Sequence, residues 1–154
     1  MRRLSLWCIR EMTEIKEKYL PSEILQKAIV SGKEYGWKRA DFKKVIDKAV
    51  EVGLGIIGGQ IQFKLPDGTC ELYWHKYDTR DRKSGENWKN YCLRTRKECL
   101  NQFENIPTDK ELVEEGIKNF DFLKNKSKIG IQLEEYLIFI LYFNNSETDL
   151  NSNE

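Results

Sequence analysis

The chain has 154 residues, with 26 Lys and Arg against 25 Asp and Glu, a net charge of +1, one His and four Cys. A domain of this length buries roughly 70% of the surface its unfolded chain exposes, so a core can form without disulfide or metal staples. The balanced charge argues against a nucleic-acid footprint and against an acidic mimic of one.

Arg2-Arg3 precede the apolar run Leu4-Ser5-Leu6-Trp7-Cys8-Ile9, which stops at Arg10. A run of about six residues falls short of the ~7–15 of a secretory signal. The most hydrophobic stretch, Tyr136 to Phe143, is too short to cross a ~30 Å hydrocarbon core as a helix. A cytoplasmic protein that does not span a membrane is expected. Cys8, Cys70, Cys92 and Cys99 form no C-x-x-C, and His75 is the one histidine. Free thiols packed as small apolar groups follow, with no metal and no cofactor expected.

In chain order, the stripe Cys8, Ile9, Met12, Ile15, Tyr19 predicts a helix over 4–19. Pro21-Ser22-Glu23 restarts the chain, and Ile24, Leu25, Ala28 and Ile29 predict a second, short helix stopped by Ser31-Gly32. Phe42, Val45, Ile46, Ala49 and Val50 predict a third over 38–52, closed by Gly53. The period then changes. Ile61, Phe63 and Leu65 alternate with polar residues, as do Cys70, Leu72 and Trp74, on either side of Pro66-Asp67-Gly68-Thr69. A hairpin over 59–77 with Asp67-Gly68 at its tip would set Leu65 opposite Cys70, Phe63 opposite Leu72 and Ile61 opposite Trp74. Pro66 lacks the N–H nearest that tip, so the loop could open to four residues in the same register.

After a charged loop over 76–86, Asn87 is an N-cap for a helix from Trp88 to about Phe103. Thr108-x-x-Glu111 is a capping box for a helix with Leu112, Val113, Gly116, Ile117, Phe120 and Leu123 on its apolar side. Lys124 to Lys128 reads as a loop. From Ile129 the chain could be helix or strand, and β-branched and aromatic content favours a buried strand over Tyr136–Phe143. The expected fold is α+β: an antiparallel sheet built on the 59–77 hairpin and packed with N-terminal and C-terminal helices. A single domain over 1–143 and a polar tail over 144–154 complete it.

Gly53-Leu54-Gly55-Ile56-Ile57-Gly58 matches G-x-G-x-x-G, but a helix precedes it and a strand follows, the reverse of the order a dinucleotide site needs. No Ser-His-Asp or Cys-His set can be assembled, although Cys92 or Cys99 could approach His75 in space. The aromatic residues stand out more. Tyr73, His75 and Tyr77 fall on the hairpin's polar face with Gln60 and Gln62, beside the loop of Asp78, Arg80, Asp81 and Arg82. Tyr and Arg are enriched in interface hot spots. That face is therefore the expected partner-binding surface, unless a helix covers it and buries the rings.

Gly36-Trp37, Ala40-Asp41, the run Val52 to Gly59, Tyr73-Trp74, and Gly85-Glu86-Asn87-Trp88-Lys89-Asn90-Tyr91 with Arg94 and Glu98 form an ordered set of landmarks. The set resembles a family of bacterial immunity proteins of polymorphic toxin systems, in which an Asn-Trp segment, a Gly-Gly strand start, a Trp-containing strand and a G-E-x-W-x-x-Y helix recur. The family's Gly-Gly-Asp is Gly58-Gly59-Gln60 here, and its Asn-Trp is Gly36-Trp37. The resemblance implies a small cytosolic α+β protein that binds and blocks a cognate toxin domain, with no turnover and no cofactor. A small enzyme or ligand-binding protein with a pocket near His75 and a cysteine is the alternative, and an adaptor domain without a toxin partner is a third.

Overall fold

The computed structural model describes residues 18–146. Of the helix expected over 4–19, only Lys18 and Tyr19 are described, and they form a turn; the rest, and the tail from 147, lie outside the described residues.

Helix α1 (Ser22–Gln26) starts at Pro21, whose carbonyl accepts from the N–H groups of Ile24 and Leu25. The expected extension to Ile29 does not form. Instead β1 (Ile29–Ser31) turns at Gly32-Lys33 into β2 (Glu34–Trp37), with Ile29 opposite Gly36 and Ser31 opposite Glu34. Two β-branched residues followed by a glycine at φ 65° favour a tight hairpin over another helical turn. Helix α2 (Arg39–Glu51) buries Phe42, Val45, Ile46 and Ala49, as its spacing predicts. It ends in a Schellman motif: Gly53, at φ 87°, donates to the Val50 carbonyl and Leu54 to that of Ala49.

Strands β3 (Gly55–Gly58), β4 (Ile61–Leu65) and β5 (Gly68–Glu71) follow. The β4–β5 hairpin forms, but two residues out of the expected register. Leu65 pairs with Gly68 and Phe63 with Cys70, while Leu72 N–H reaches the Ile61 carbonyl at 2.9 Å. Proline decides this. A turn centred on Pro66-Asp67 puts the fixed φ of Pro66 at the first central position, where no N–H is required. A shift of two keeps the parity, so Ile61, Phe63, Leu65, Cys70 and Leu72 still share a buried face. Gly68, no longer at the tip, lies against Phe122, whose Cζ would stand 2.8 Å from an added Cβ. The second strand stops at Glu71 rather than continuing to Tyr77.

Helix α3 (Trp88–Glu104) is capped by Asn87, whose side chain accepts from the Asn90 N–H. Helix α4 (Asp109–Asn119) carries the complete Thr108–Glu111 capping box. The chain breaks at Phe120, and α5 (Asp121–Lys128) occupies the stretch expected as loop. A 3₁₀ turn (Leu133–Tyr136) leads into β6 (Leu137–Ile140), and β7 (Tyr142–Asn144) follows. The expected last strand is thus present, split at Leu141. Asn144 is buried and pairs with Gly55, so the last strand runs one residue past the expected boundary at 143.

The architecture is α+β. A curled antiparallel sheet runs β1-β2-β6-β4-β5, and β3 and β7 form a two-stranded ribbon beside it. One face of the large sheet carries Trp37, Phe139, Ile61 and Phe63 into a core shared with Phe42, Val45, Cys99, Leu112 and Leu123 of the helices. Phe42 stacks on Phe103, and Tyr77 and Phe139 meet it edge-on. The cross-over from β3 to β4 depends on Gly59, where a Cβ would lie 1.7 Å from the Ile140 carbonyl oxygen.

Candidate binding surface

The opposite face of the large sheet holds Ser31, Glu34, Gln60 and Gln62, all buried. Gln60 and Gln62 therefore do not form the wet surface their alternation suggested. Glu34 replaces water: its carboxylate accepts from Gln60 Nε2 at 2.9 Å, from Gln62 Nε2 at 3.2 Å and from the Tyr142 hydroxyl. Ser31 donates to Gln62 Oε1 at 2.9 Å. Burial first, and then the Glu34 carboxylate, push the Tyr142 phenol up. The cluster joins four strands by side chains, which makes it part of the scaffold. Gln60 Oε1 is its one buried atom without a partner.

Tyr77 is also inside, contrary to expectation. The strand has ended, so the chain swings back and Tyr77 donates to the carbonyls of Gln60 (2.8 Å) and Ile140 (2.6 Å). Thr79 fixes the next step, its hydroxyl donating to the Ile56 carbonyl at 2.6 Å. Asp78 is half-buried against Gly58, and its carbonyl accepts from Gln102 Nε2. From here the loop runs along α3 toward that helix's N-terminus. Arg80 clasps Glu98 through its backbone N–H and its guanidinium. Arg94 accounts for the rest. It binds Glu86 bidentately at 2.7 and 2.9 Å and Glu98 at 2.9 Å, and donates to the carbonyls of Arg80 and Asp81. The Arg94 hydrogen bonds, outweighing a small burial penalty, hold the Glu86 carboxyl down at about 2. Burial raises the Glu98 carboxyl, but hydrogen bonds from Arg80 and Arg94 leave it below its ordinary value.

The landmarks of the resemblance therefore have structural roles. Trp37 Nε1 donates to the Ile24 carbonyl and Trp88 Nε1 to the Gly53 carbonyl, closing two helix ends. Glu86, Arg94 and Glu98 tie the loop to α3, and the Tyr91 ring fills the space a side chain at Gly55 would take.

What stays exposed from the expected set is Tyr73, part of His75, and Arg80 with Asp81 along the α3 ridge. Arg82 is half-buried, donating to the Glu86 carbonyl at 2.8 Å. Tyr73 is 67% exposed and its neighbour Trp74 37%, with the two rings meeting edge-on at 5.1 Å. Trp74 is held from behind. Its ring stacks on Phe120, and its Nε1 donates to Glu115 Oε1 at 2.6 Å. His75 Nε2 meets the same oxygen at 2.7 Å. Trp74, Glu115 and Phe120 were absent from the expected surface, because reading a strand through 77 assigned Trp74 to the core face. The Leu72–His75 turn, closed by His75 N–H to the Leu72 carbonyl, instead points Tyr73 and Trp74 outward.

The thiols bear on the alternative reading. Cys70, Cys92 and Cys99 are buried and form no disulfide. Burial pushes the Cys70 and Cys99 thiols up, and Asp78 adds to the effect at Cys99. Such thiols are protonated and weak as nucleophiles. A cavity of about 600 Å³ between α2 and α3, lined by Asp47, Val50, Trp88, Cys92 and Arg96 among others, includes Cys92 but neither His75 nor any residue of the expected partner-binding surface. Among the described residues, no helix is long and apolar enough to cross a membrane. Comparison with family models, curated proteins and solved structures finds no match to this chain.

Proposed function

We propose that the chain is a protein-binding domain and, more narrowly, a cytoplasmic immunity protein that neutralises a cognate toxin domain of a bacterial polymorphic toxin system without turnover. The observation that carries this reading is the Tyr73–Trp74 pair. These are two large rings on one tight turn, exposed at 67% and 37% although most large apolar side chains are buried. Stacking on Phe120 and the bond to Glu115 fix Trp74 before any partner arrives, which lowers the ordering cost of an aromatic anchor. The ordered landmarks add the family resemblance. The near-neutral charge makes buried aromatic contacts, rather than long-range steering, the source of affinity. The rival enzyme built on His75 and a cysteine is disfavoured by the burial of Cys70, Cys92 and Cys99, which pushes the Cys70 and Cys99 thiols up.

Co-expression with the toxin domain encoded beside this chain tests the proposal. Rescue of growth and a stable complex are expected. Tyr73→Ala should weaken that complex about 30-fold, the loss of a hot spot worth roughly 2 kcal/mol. Its melting temperature should stay unchanged, because the ring lies outside the core. No complex and no rescue would overturn the reading.

A further inference from the structure

The helices described above pack into the core on one face of the large sheet, yet the other face is buried as well. Ile138 and Ile140 are 1% and 0% exposed, and Ile57 and Tyr142 are buried with them. With Ile29 they form a second apolar cluster, drawn entirely from strands β1, β3, β6 and β7. Among the described residues, no helix side chain joins it. Gln62 stands opposite Ile138 in the β4–β6 ladder, so the Glu34, Gln60 and Gln62 cluster shares this face. Strand side chains stand perpendicular to their sheet, and an uncovered face leaves them partly in water. Burial this deep on β2, β3, β4, β6 and β7 together calls for a layer above them.

Two stretches of the chain lie outside the described residues. The tail from Glu147 has one apolar side chain, Leu150, and three acids, Glu147, Asp149 and Glu154, which would crowd the buried Glu34 carboxylate. Residues 4–17 are different, with Cys8, Ile9, Met12 and Ile15 recurring at helical spacing. Their point of attachment also fits. Tyr19 lines a cavity of about 300 Å³ with Leu54 and Asn145, at the end of the β3–β7 ribbon that carries Ile57 and Tyr142. In a helix, the stripe from Cys8 to Ile15 rises about 10 Å, or two strand spacings, the separation of Ile29 on β1 from the β6 isoleucines. A short tether through Tyr19 gives this segment an effective concentration of about millimolar, an advantage that a second molecule lacks.

We propose that residues 4–17 are the occupant of this face, laying their apolar stripe across Ile57, Ile138 and Ile140 and closing Glu34, Gln60 and Gln62 from water. The Tyr73–Trp74 turn follows β5 and belongs to neither apolar cluster, so it stays free for a partner. The contact does not depend on the immunity reading, and its test involves no toxin.

Thiol labelling of the full chain provides that test. Ile138→Cys, followed through its N-ethylmaleimide adduct by mass spectrometry, should react at least about tenfold more slowly than Tyr73→Cys on the exposed turn. Adding Met12→Asp and Ile15→Asp should speed labelling of Ile138→Cys at least about tenfold, while Cys99, buried in the first core, stays unlabelled. Labelling as fast as Tyr73→Cys from the start, or a slow rate that the double substitution leaves unchanged, would overturn the proposal. Protection that disappears on dilution would overturn it in favour of a second copy of the chain. Where the double substitution unfolds the protein, and Cys99 reacts too, Met12→p-benzoylphenylalanine decides by photo-crosslinking. Crosslinks within one chain to residue 57 or 138–142 are the expected result, and crosslinks only between chains or only elsewhere would overturn the assignment.

Discussion

Glu86→Gln is the perturbation whose consequence can be worked furthest. Arg94 holds the Glu86 carboxyl at about 2, against an ordinary 4.5, through two hydrogen bonds of 2.7 and 2.9 Å. Linkage converts that difference into roughly 3 kcal/mol at neutral pH. The two side chains are 13% and 16% exposed, so solvent screening trims the contribution only modestly, to about 2–3 kcal/mol. The sign follows from the depressed folded-state value. The stabilisation is complete above about pH 4.5 and is lost as pH falls toward about 2. Glutamine keeps the shape and one acceptor but not the charge. Urea unfolding of the parent and Glu86→Gln at pH 7 should therefore differ by about 2 kcal/mol, and by much less near pH 2. For a chain of this size the neutral-pH loss corresponds to a melting temperature lower by roughly 4–8 °C. A difference that stays constant across this range would refute the reasoning, since a loss of packing alone has no reason to titrate. The consequence reaches the binding surface, because Arg94 also holds the carbonyls of Arg80 and Asp81 and so shapes the loop.

Three further substitutions concern the scaffold. Gly59→Ala would drive a Cβ into the Ile140 carbonyl, a backbone group pinned by the Tyr77 hydroxyl, and should cost about 3–5 kcal/mol or prevent folding. Gly32→Ala, with open space but φ 65°, should lose only about 1 kcal/mol by the same urea assay; similar losses at both sites would discredit the steric account. Glu34→Ala leaves the buried donors of Gln60, Gln62 and Tyr142 without their acceptor and should cost about 3–5 kcal/mol. A loss below about 1 kcal/mol in chemical denaturation would mean that water readily takes the place of the carboxylate.

Local rules made much of the fold legible. The i, i+3, i+4 spacing and Gly53 placed α2 and its cap. Asn87 and the Thr108–Glu111 box fixed two helix starts, and alternation gave the buried side of β4. Each depends on atoms within a few residues of one another, so one segment of sequence carries the whole cause. The hairpin register sits at the edge of this set: Pro66 was visible, but a preference for Asp-Gly turns outweighed it. The candidate surface was legible only in part. Tyr73, His75, Arg80 and Asp81 remain outside, whereas Gln60, Gln62 and Tyr77 lie within.

Alternation along a strand states which side chains share a face, but not whether that face meets water. Gln60 and Gln62 are inside because Glu34, 26 and 28 positions away, and Tyr142, 82 positions from Gln60, accept from their amide nitrogens. Tyr77 is inside because two carbonyls at the β3–β4 and β6–β7 crossings await its hydroxyl. A polar group's place follows from whichever partner replaces its water, and for these residues the partners come from distant strands that only the closed sheet brings together.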